Sequence, residues 1–196
     1  AGWEFTSILN WDGVGTASSD YADVTLEAQS PAGTPFTVLN SAAHYLYLGH
    51  DEKFDLAIFD VATGGSIGAL TWQYYSGGTW ITFIPGSGRY ELDPGSQYDF
   101  SVDGAEIFPI NILKAWSTVA INSVTKYWIR ATAASVSVAP TIHRIQMRPY
   151  NTYCTTREVF DFLQLKNVLG TTDFTTATVP TKENVECGLP FAVLPT

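Results

Sequence analysis

The sequence predicts an all-β protein, an antiparallel β-sandwich of jelly-roll-like type with extended N- and C-terminal arms. Three observations carry that expectation. β-Branched and aromatic residues recur in short, often alternating runs. Gly, Pro, Ser and Asn punctuate these runs at the spacing of sandwich strands. Only 15% of the 196 residues are charged, against 45% hydrophobic and 14% aromatic, which describes a packed core and neither a disordered chain nor a salt-laced helical one. A chain of this length fits one domain with long arms, or one large and one very small domain.

Along the chain, residues 1–33 read as an N-terminal strand or arm, with Trp3, Phe5, Ile8, Leu9 and Trp11 ahead of a Gly- and Ser-rich stretch over 13–19. Residues 34–150 read as the sandwich core. Strand signals fall at 23–28, 35–39, 44–48, 54–61, 69–75, 79–84, 98–102, 126–133 and 141–148. Ser76-Gly77-Gly78 parts two aromatic strands and reads as a hairpin turn, because glycine supplies the positive φ that tight turns need. That hairpin brings Trp72, Tyr74, Trp80 and Phe83 close together. The stretch 109–119, with Leu113 and Trp116 on one side, has helical spacing for one or two turns. Residues 151–196 read as a C-terminal extended arm. Within it, 157–165 fits a short helix or a strand, 171–181 is threonine-rich, and Pro190 and Pro195 interrupt an apolar tail. Such apolar ends either pack back onto their own domain as edge strands or reach across to a neighbour, and both readings stay open.

The net charge of −9 is unevenly spread. Residues 1–106 carry a balance of −12, residues 107–157 contain no acid and carry +6, and residues 158–196 carry −3. An acidic chain with scattered bases repels a phosphate backbone, so nucleic acid is not an expected partner. A complementary protein surface or another copy of the chain fits the polarity. Pairing of the basic stretch with acidic strands inside one domain fits it equally. No apolar run is long enough to span a membrane. Ala1-Gly2-Trp3-Glu4 lacks a basic start and an apolar core, and no secretory leader is expected. Cys154 and Cys187 do not make a disulfide framework, and their spacing alone does not show that they meet.

Tests for chemistry leave no catalytic motif, and neither an enzyme nor a cofactor is expected. Gly64-Gly65-Ser66-Ile67-Gly68 matches the G-x-S-x-G nucleophile elbow, but that motif needs a strand-to-helix turn, and Ala69 to Tyr74 reads as another strand. His44, His50 and Asp51 match no zinc spacing, and Asp51, Glu52 and Asp55 lack calcium-loop spacing and enclose Lys53. No pair of carboxylates stands out for glycoside cleavage. Binding features are more tangible. Trp72, Tyr74, Tyr75 and Trp80 form a candidate aromatic platform for stacking on sugar rings, although alternating aromatics on a hairpin ordinarily include one buried face. Trp3, Phe5 and Trp11, with Phe191 and Leu194, are candidate arm contacts to neighbours, and Arg144, Arg148 and Arg157 form a candidate basic interface band.

Several segments carry a resemblance. These are Thr34-Pro35-Phe36-Thr37-Val38-Leu39, the run from Tyr45 through Leu48-Gly49-His50-Asp51-Glu52-Lys53-Phe54-Asp55, Leu70-Thr71-Trp72-Gln73-Tyr74-Tyr75 with Thr79-Trp80, and Lys126-Tyr127-Trp128-Ile129-Arg130. Together they resemble a β-sandwich module of virion-associated proteins of tailed phages and related viruses, over about residues 34–150. The resemblance implies a structural part of a virus particle, a capsid decoration or cement protein foremost, with a tail or fibre component next. It implies a location in the virion after assembly in the host cytoplasm, and partners that are capsid or tail proteins and copies of the chain in a homo-oligomer. It carries over no active-site residues. The alternative is a carbohydrate-binding or host-attachment module that takes a surface glycan on the aromatic hairpin.

Overall fold

The computed structural model describes residues 3–30, 33–87, 98–108 and 110–150. The chain divides into two compact units, Ala1–Tyr150 and Asn151–Thr196, and every described residue belongs to the first. The expectations for the C-terminal arm, for Arg157, Phe191 and Leu194, and for Cys154 and Cys187 therefore lie outside the described residues.

In order, the elements are β1 (Ser7–Trp11), a single 3-10 turn (Ser18–Asp20), β2 (Tyr21–Asp23), α1 (Thr25–Gln29), β3 (Phe36–Thr37), β4 (Tyr45–His50), β5 (Phe54–Thr63), β6 (Ser66–Ile67), β7 (Leu70–Ser76) and β8 (Thr79–Phe83). They continue with β9 (Gly86–Ser87), β10 (Gly104–Ile107), α2 (Ile110–Ala115), β11 (Thr118–Ile121), β12 (Val124–Ala133), β13 (Val136–Val138) and β14 (Thr141–Pro149). A seven-stranded sheet runs β2-β1-β4-β12-β7-β8, with β11 also paired to β12. A five-stranded sheet runs β3-β14-β5-β10-β9, and β13 pairs with β6. Every one of these pairings is antiparallel. Among the described residues the fold is all-β with two short helices.

Turn chemistry fixes two hairpins of the larger sheet. Gly77 and Gly78, at φ 57° and 88°, join β7 to β8, and Asn122 and Ser123, at φ 48° and 66°, join β11 to β12. Two consecutive left-handed residues give the turn whose twist matches the flanking strands. The first hairpin is the one read from Ser76-Gly77-Gly78. The second has no glycine, and β11 had no strand signal of its own.

Three expected strands come out differently. In 23–28 only Asp23 is strand, and α1 begins at Thr25, whose backbone N–H and hydroxyl both donate to the Asp23 carboxylate. The strand expected over 35–39 shrinks to Phe36–Thr37, because Leu39 turns to a left-handed φ of 50°. The segment 98–102 forms no strand. There the Asp99 carboxylate accepts the Ser101 N–H at 3.0 Å, and Phe100 sits at φ 57° with its ring wholly buried. A side chain that captures a nearby backbone N–H competes with the sheet ladder.

Through β1 and β2 the N-terminal stretch joins the same sheet as the middle of the chain. β1 pairs with β4 from Ser7↔Gly49 to Trp11↔Tyr45, and Phe5 and Ile8 are 0% exposed. Phe5 is therefore a core residue and not a contact to a neighbour, because its ring packs edge-on against Phe54 at 4.9 Å. One hydrophobic cluster draws on both large sheets: Leu46, Leu48, Trp72 and Ile129 from the seven-stranded sheet, and Phe54, Phe59, Ile145 and Met147 from the five-stranded one. Alternation on each strand sends these side chains to a shared side.

One carboxyl lies inside that core. Glu106 on β10 is 0% exposed, and neither of its oxygens has a hydrogen bond among the described residues. Burial pushes its pKa from 4.5 up to about 8, with the Tyr98 backbone N–H pulling the other way. The unfolded chain thus gives up this proton near pH 4.5 and the folded chain holds it to about pH 8. Across that window unfolding releases a proton, so stability is full below it and falls as pH rises, by up to about 1.4 kcal/mol per pH unit. Denaturant unfolding should show that slope in the wild type relative to Glu106→Gln, with the variant the more stable at pH 8. Parallel pH profiles for the two proteins would refute a buried protonated Glu106.

Candidate functional site

The face of the seven-stranded sheet turned away from the shared core carries a second layer of side chains. Alternation and register determine its members. On β4, Leu46 and Leu48 enter the core and Tyr45 and Tyr47 point the other way; on β12, Ile129 and Ala131 enter the core and Trp128 and Arg130 oppose them. The register sets Leu9, Tyr47, Arg130, Gln73 and Thr82 side by side across β1, β4, β12, β7 and β8. A second row, Tyr21, Trp11 and Tyr45, lies next to it on β2, β1 and β4.

Trp128 anchors this layer. It faces Gly49 across the β4–β12 pair, and a Cβ on Gly49 would collide with the indole. The glycine leaves the space into which the ring lies flat. The indole N–H donates to the Val119 carbonyl at 3.0 Å, which closes the β11–β12 hairpin over it. Trp128 is 0% exposed although it faces away from the main core.

Arg130 occupies the centre. Its guanidinium carbon stands 4.1 Å from the Trp80 ring centroid and 4.4 Å from that of Tyr45, with Tyr47 at 6.0 Å. Its Nε–H donates to Gln73 Oε1 at 2.8 Å and an Nη1–H to the Tyr47 hydroxyl at 3.2 Å. A guanidinium over neutral rings is held by their π faces. Burial pushes the Tyr47 phenol pKa up against the opposing pull of Arg130, and burial with the Asp20 charge raises that of Tyr21, which keeps both phenols neutral. Further rings extend the layer on both sides, Trp11 with Tyr45 at 5.5 Å and Tyr75 with Trp80 at 5.5 Å. Trp11, Tyr21, Tyr45, Tyr75 and Trp80 are half-buried, so each leaves part of a ring open.

The expected platform is split by this geometry. Trp72 is 1% exposed and Tyr74 8%, both in the main core, whereas Tyr75 and Trp80 lie on the opposite face. The cause is the two-residue period of β7: Trp72 and Tyr74 share one side, and Tyr75 shares the other with Gln73. Trp80 finds its companions on β4 and β12 instead. Tyr45, Tyr47, Gln73 and Arg130 were not singled out from sequence, although Tyr45-x-Tyr47 and Trp128-x-Arg130 carry the alternation that would have placed each pair on one face.

Other candidates resolve one by one. Trp3 is 46% exposed, and Trp11 belongs to the aromatic face. The basic band is engaged by acids of this chain: Arg148 makes a double hydrogen bond to the buried Asp55, at 2.8 and 3.1 Å, and Arg144 lies 3.6 Å from Glu4. Lys126 pairs with Asp51 and holds its carboxyl below the usual range. These three pairs each join the acid-free stretch to the acidic one. Ser66 sits on the two-residue β6 and is followed by strand β7, where a nucleophile elbow requires a helix. His50 Nδ1 accepts the Glu52 backbone N–H at 3.0 Å, and among the described residues no group of His, Cys, Asp and Glu is arranged to hold a metal.

No protein-family model matches the chain, and no curated protein matches it. The fold and its outer layer define an antiparallel β protein with a solvent-facing aromatic surface built around one arginine.

The two tryptophans once grouped together should behave differently. Trp72→Ala should cost about 3–5 kcal/mol of unfolding free energy, and Trp80→Ala about 1 kcal/mol from its ring and cation contacts. Denaturant titration of both variants checks this, and equal losses would contradict the two-faced sheet.

Proposed function

We propose that the protein is a structural component of a virus particle, a capsid decoration or cement protein whose two large sheets pack as a jelly-roll-like β-sandwich. A tail or fibre component is the nearest relative of this reading. The proposal rests on the resemblance given above, and one observation strengthens it. The segments that carry the resemblance most distinctively, Leu48 to Asp55 and Tyr127 to Ala131, cover the end of β4, the turn after it, the start of β5 and part of β12, and β4 and β12 are hydrogen-bonded neighbours in the middle of the seven-stranded sheet. Residues far apart in sequence that look alike to such a module are thus one structural unit. Its partners would be shell or tail proteins and further copies of itself, and many weak symmetric contacts would add up to firm attachment.

The role is mechanical. Apolar and aromatic area buried against neighbours would hold the particle together at about 25 cal/mol per Å². Particles purified from cells that carry the encoding genome test it directly. The chain should band with the particles in a fixed copy number per shell or per tail. A chain that stays in the soluble fraction while intact particles form without it would overturn the proposal.

A further inference from the structure

We infer that the outer face around Arg130 is a binding site for a carboxylate-bearing sugar, the acid taken by the guanidinium and the sugar ring by the neighbouring aromatics. This stands apart from the virion reading and rests only on the geometry of the face.

The cation is the first argument. Of the bases among residues 110–150, Lys126, Arg144 and Arg148 each pair with a carboxylate, and Lys114 is exposed to water. Arg130 is half-buried between two rings and has no carboxylate within ion-pair distance among the described residues. The acids on the nearby loop are otherwise engaged: Asp20 accepts the Ala17 N–H at 2.8 Å and Asp23 the Thr25 N–H at 3.0 Å. Gln73 and Tyr47 take one N–H each from Nε and Nη1. Guanidinium has five N–H donors, so both at Nη2 and one at Nη1 remain, enough for the paired hydrogen bonds that a planar carboxylate accepts. A half-buried cation with donors to spare is a ready partner for an anion supplied from outside.

The surroundings select the kind of anion. Half-open rings flank the cation on both sides, Trp11, Tyr21 and Tyr45 on one and Tyr75 and Trp80 on the other. Polar groups lie among them. Thr82 neighbours Gln73, whose amide N–H donates to the threonine hydroxyl at 3.2 Å, and Thr71 and Thr82 are exposed. Rings interleaved with hydroxyl and amide groups match a sugar, which alternates C–H faces with hydroxyls. The aliphatic side chains of this layer are turned to other work: Leu9 is 1% exposed, and Val119 and Ile121 pack in the cluster around Trp128. The chain's negative field also disfavours a dense polyanion, so the ligand carries isolated carboxylates, as sialylated or uronate-containing glycans do.

Calorimetric titration of the full chain tests this with sialyllactose, a glucuronate-containing disaccharide and lactose as probes. One of the two acidic sugars should bind at least about tenfold more tightly than lactose, the stronger one telling sialate from uronate. Arg130→Gln should lower that affinity about tenfold or more. As a check that needs no variant, titration of the wild type should shift the indole N–H resonances of Trp11 and Trp80 and leave that of buried Trp72 unmoved. Three outcomes overturn the assignment: no binding of either acid, lactose binding as well as the acids, or self-association through this face that the sugars fail to displace.

Discussion

Strand β12 must satisfy two faces at once, and most of the described architecture follows from how it does so. Its neighbours on both sides, β4 and β7, place it inside the sheet, where every residue meets a side chain above or below. Inward, Ile129, Ala131 and Ala133 close the main core. Outward, the same alternation exposes Trp128 and Arg130 to a layer that the other strands have to fill. An indole on the outside of a sheet is costly unless something covers it, and here Gly49 clears its seat while the β11–β12 hairpin folds over it. That in turn calls for two left-handed residues at Asn122 and Ser123. Arg130 then rests where the rings of β4 and β8 flank it.

Electrostatics follow the same division. The acid-free stretch and the acidic first half are complementary within one unit, and the Lys126–Asp51, Arg144–Glu4 and Arg148–Asp55 pairs realise that complementarity. Arg148 and Asp55 do so from adjacent strands with the acid 5% exposed, where a double hydrogen bond offsets desolvation. Charge polarity along the sequence therefore tells more about how this unit closes than about a partner. Arg130 differs from these three bases and is held by rings and neutral dipoles. Glu106 is the opposite case, a carboxyl that avoids the problem by keeping its proton.

Much of this was legible in the sequence. Strands with clear alternation, such as β4, β5, β7, β12 and β14, and the Gly77-Gly78 turn lie where the pattern put them, because period and turn chemistry are local properties. The misses have local causes too: Asp23 and Asp99 divert backbone N–H groups from the ladder, and Leu39 and Phe100 adopt left-handed angles that no propensity marks. β11 was hidden because its turn lacks glycine. The candidate site was half legible. Trp80 and Tyr75 were named as binding aromatics, but with Trp72 and Tyr74, which one strand cannot present on the same side. Their true companions sit on β4 and β12, and only the register of a sheet, which sequence does not record, brings Tyr45, Arg130 and Trp80 together.

The central claim is that Arg130 is clamped between Tyr45 and Trp80 with Gln73 and Tyr47 at its edges. Nuclear magnetic resonance of the arginine side-chain N–H groups addresses it most directly. One Nε–H, assigned to Arg130, should exchange slowly with water and be shifted by ring currents, and that shift should return toward the ordinary arginine position in Trp80→Ala. An Arg130 Nε–H that exchanges as fast as that of a solvated arginine, at the ordinary shift, would contradict the clamp and the outer face built on it.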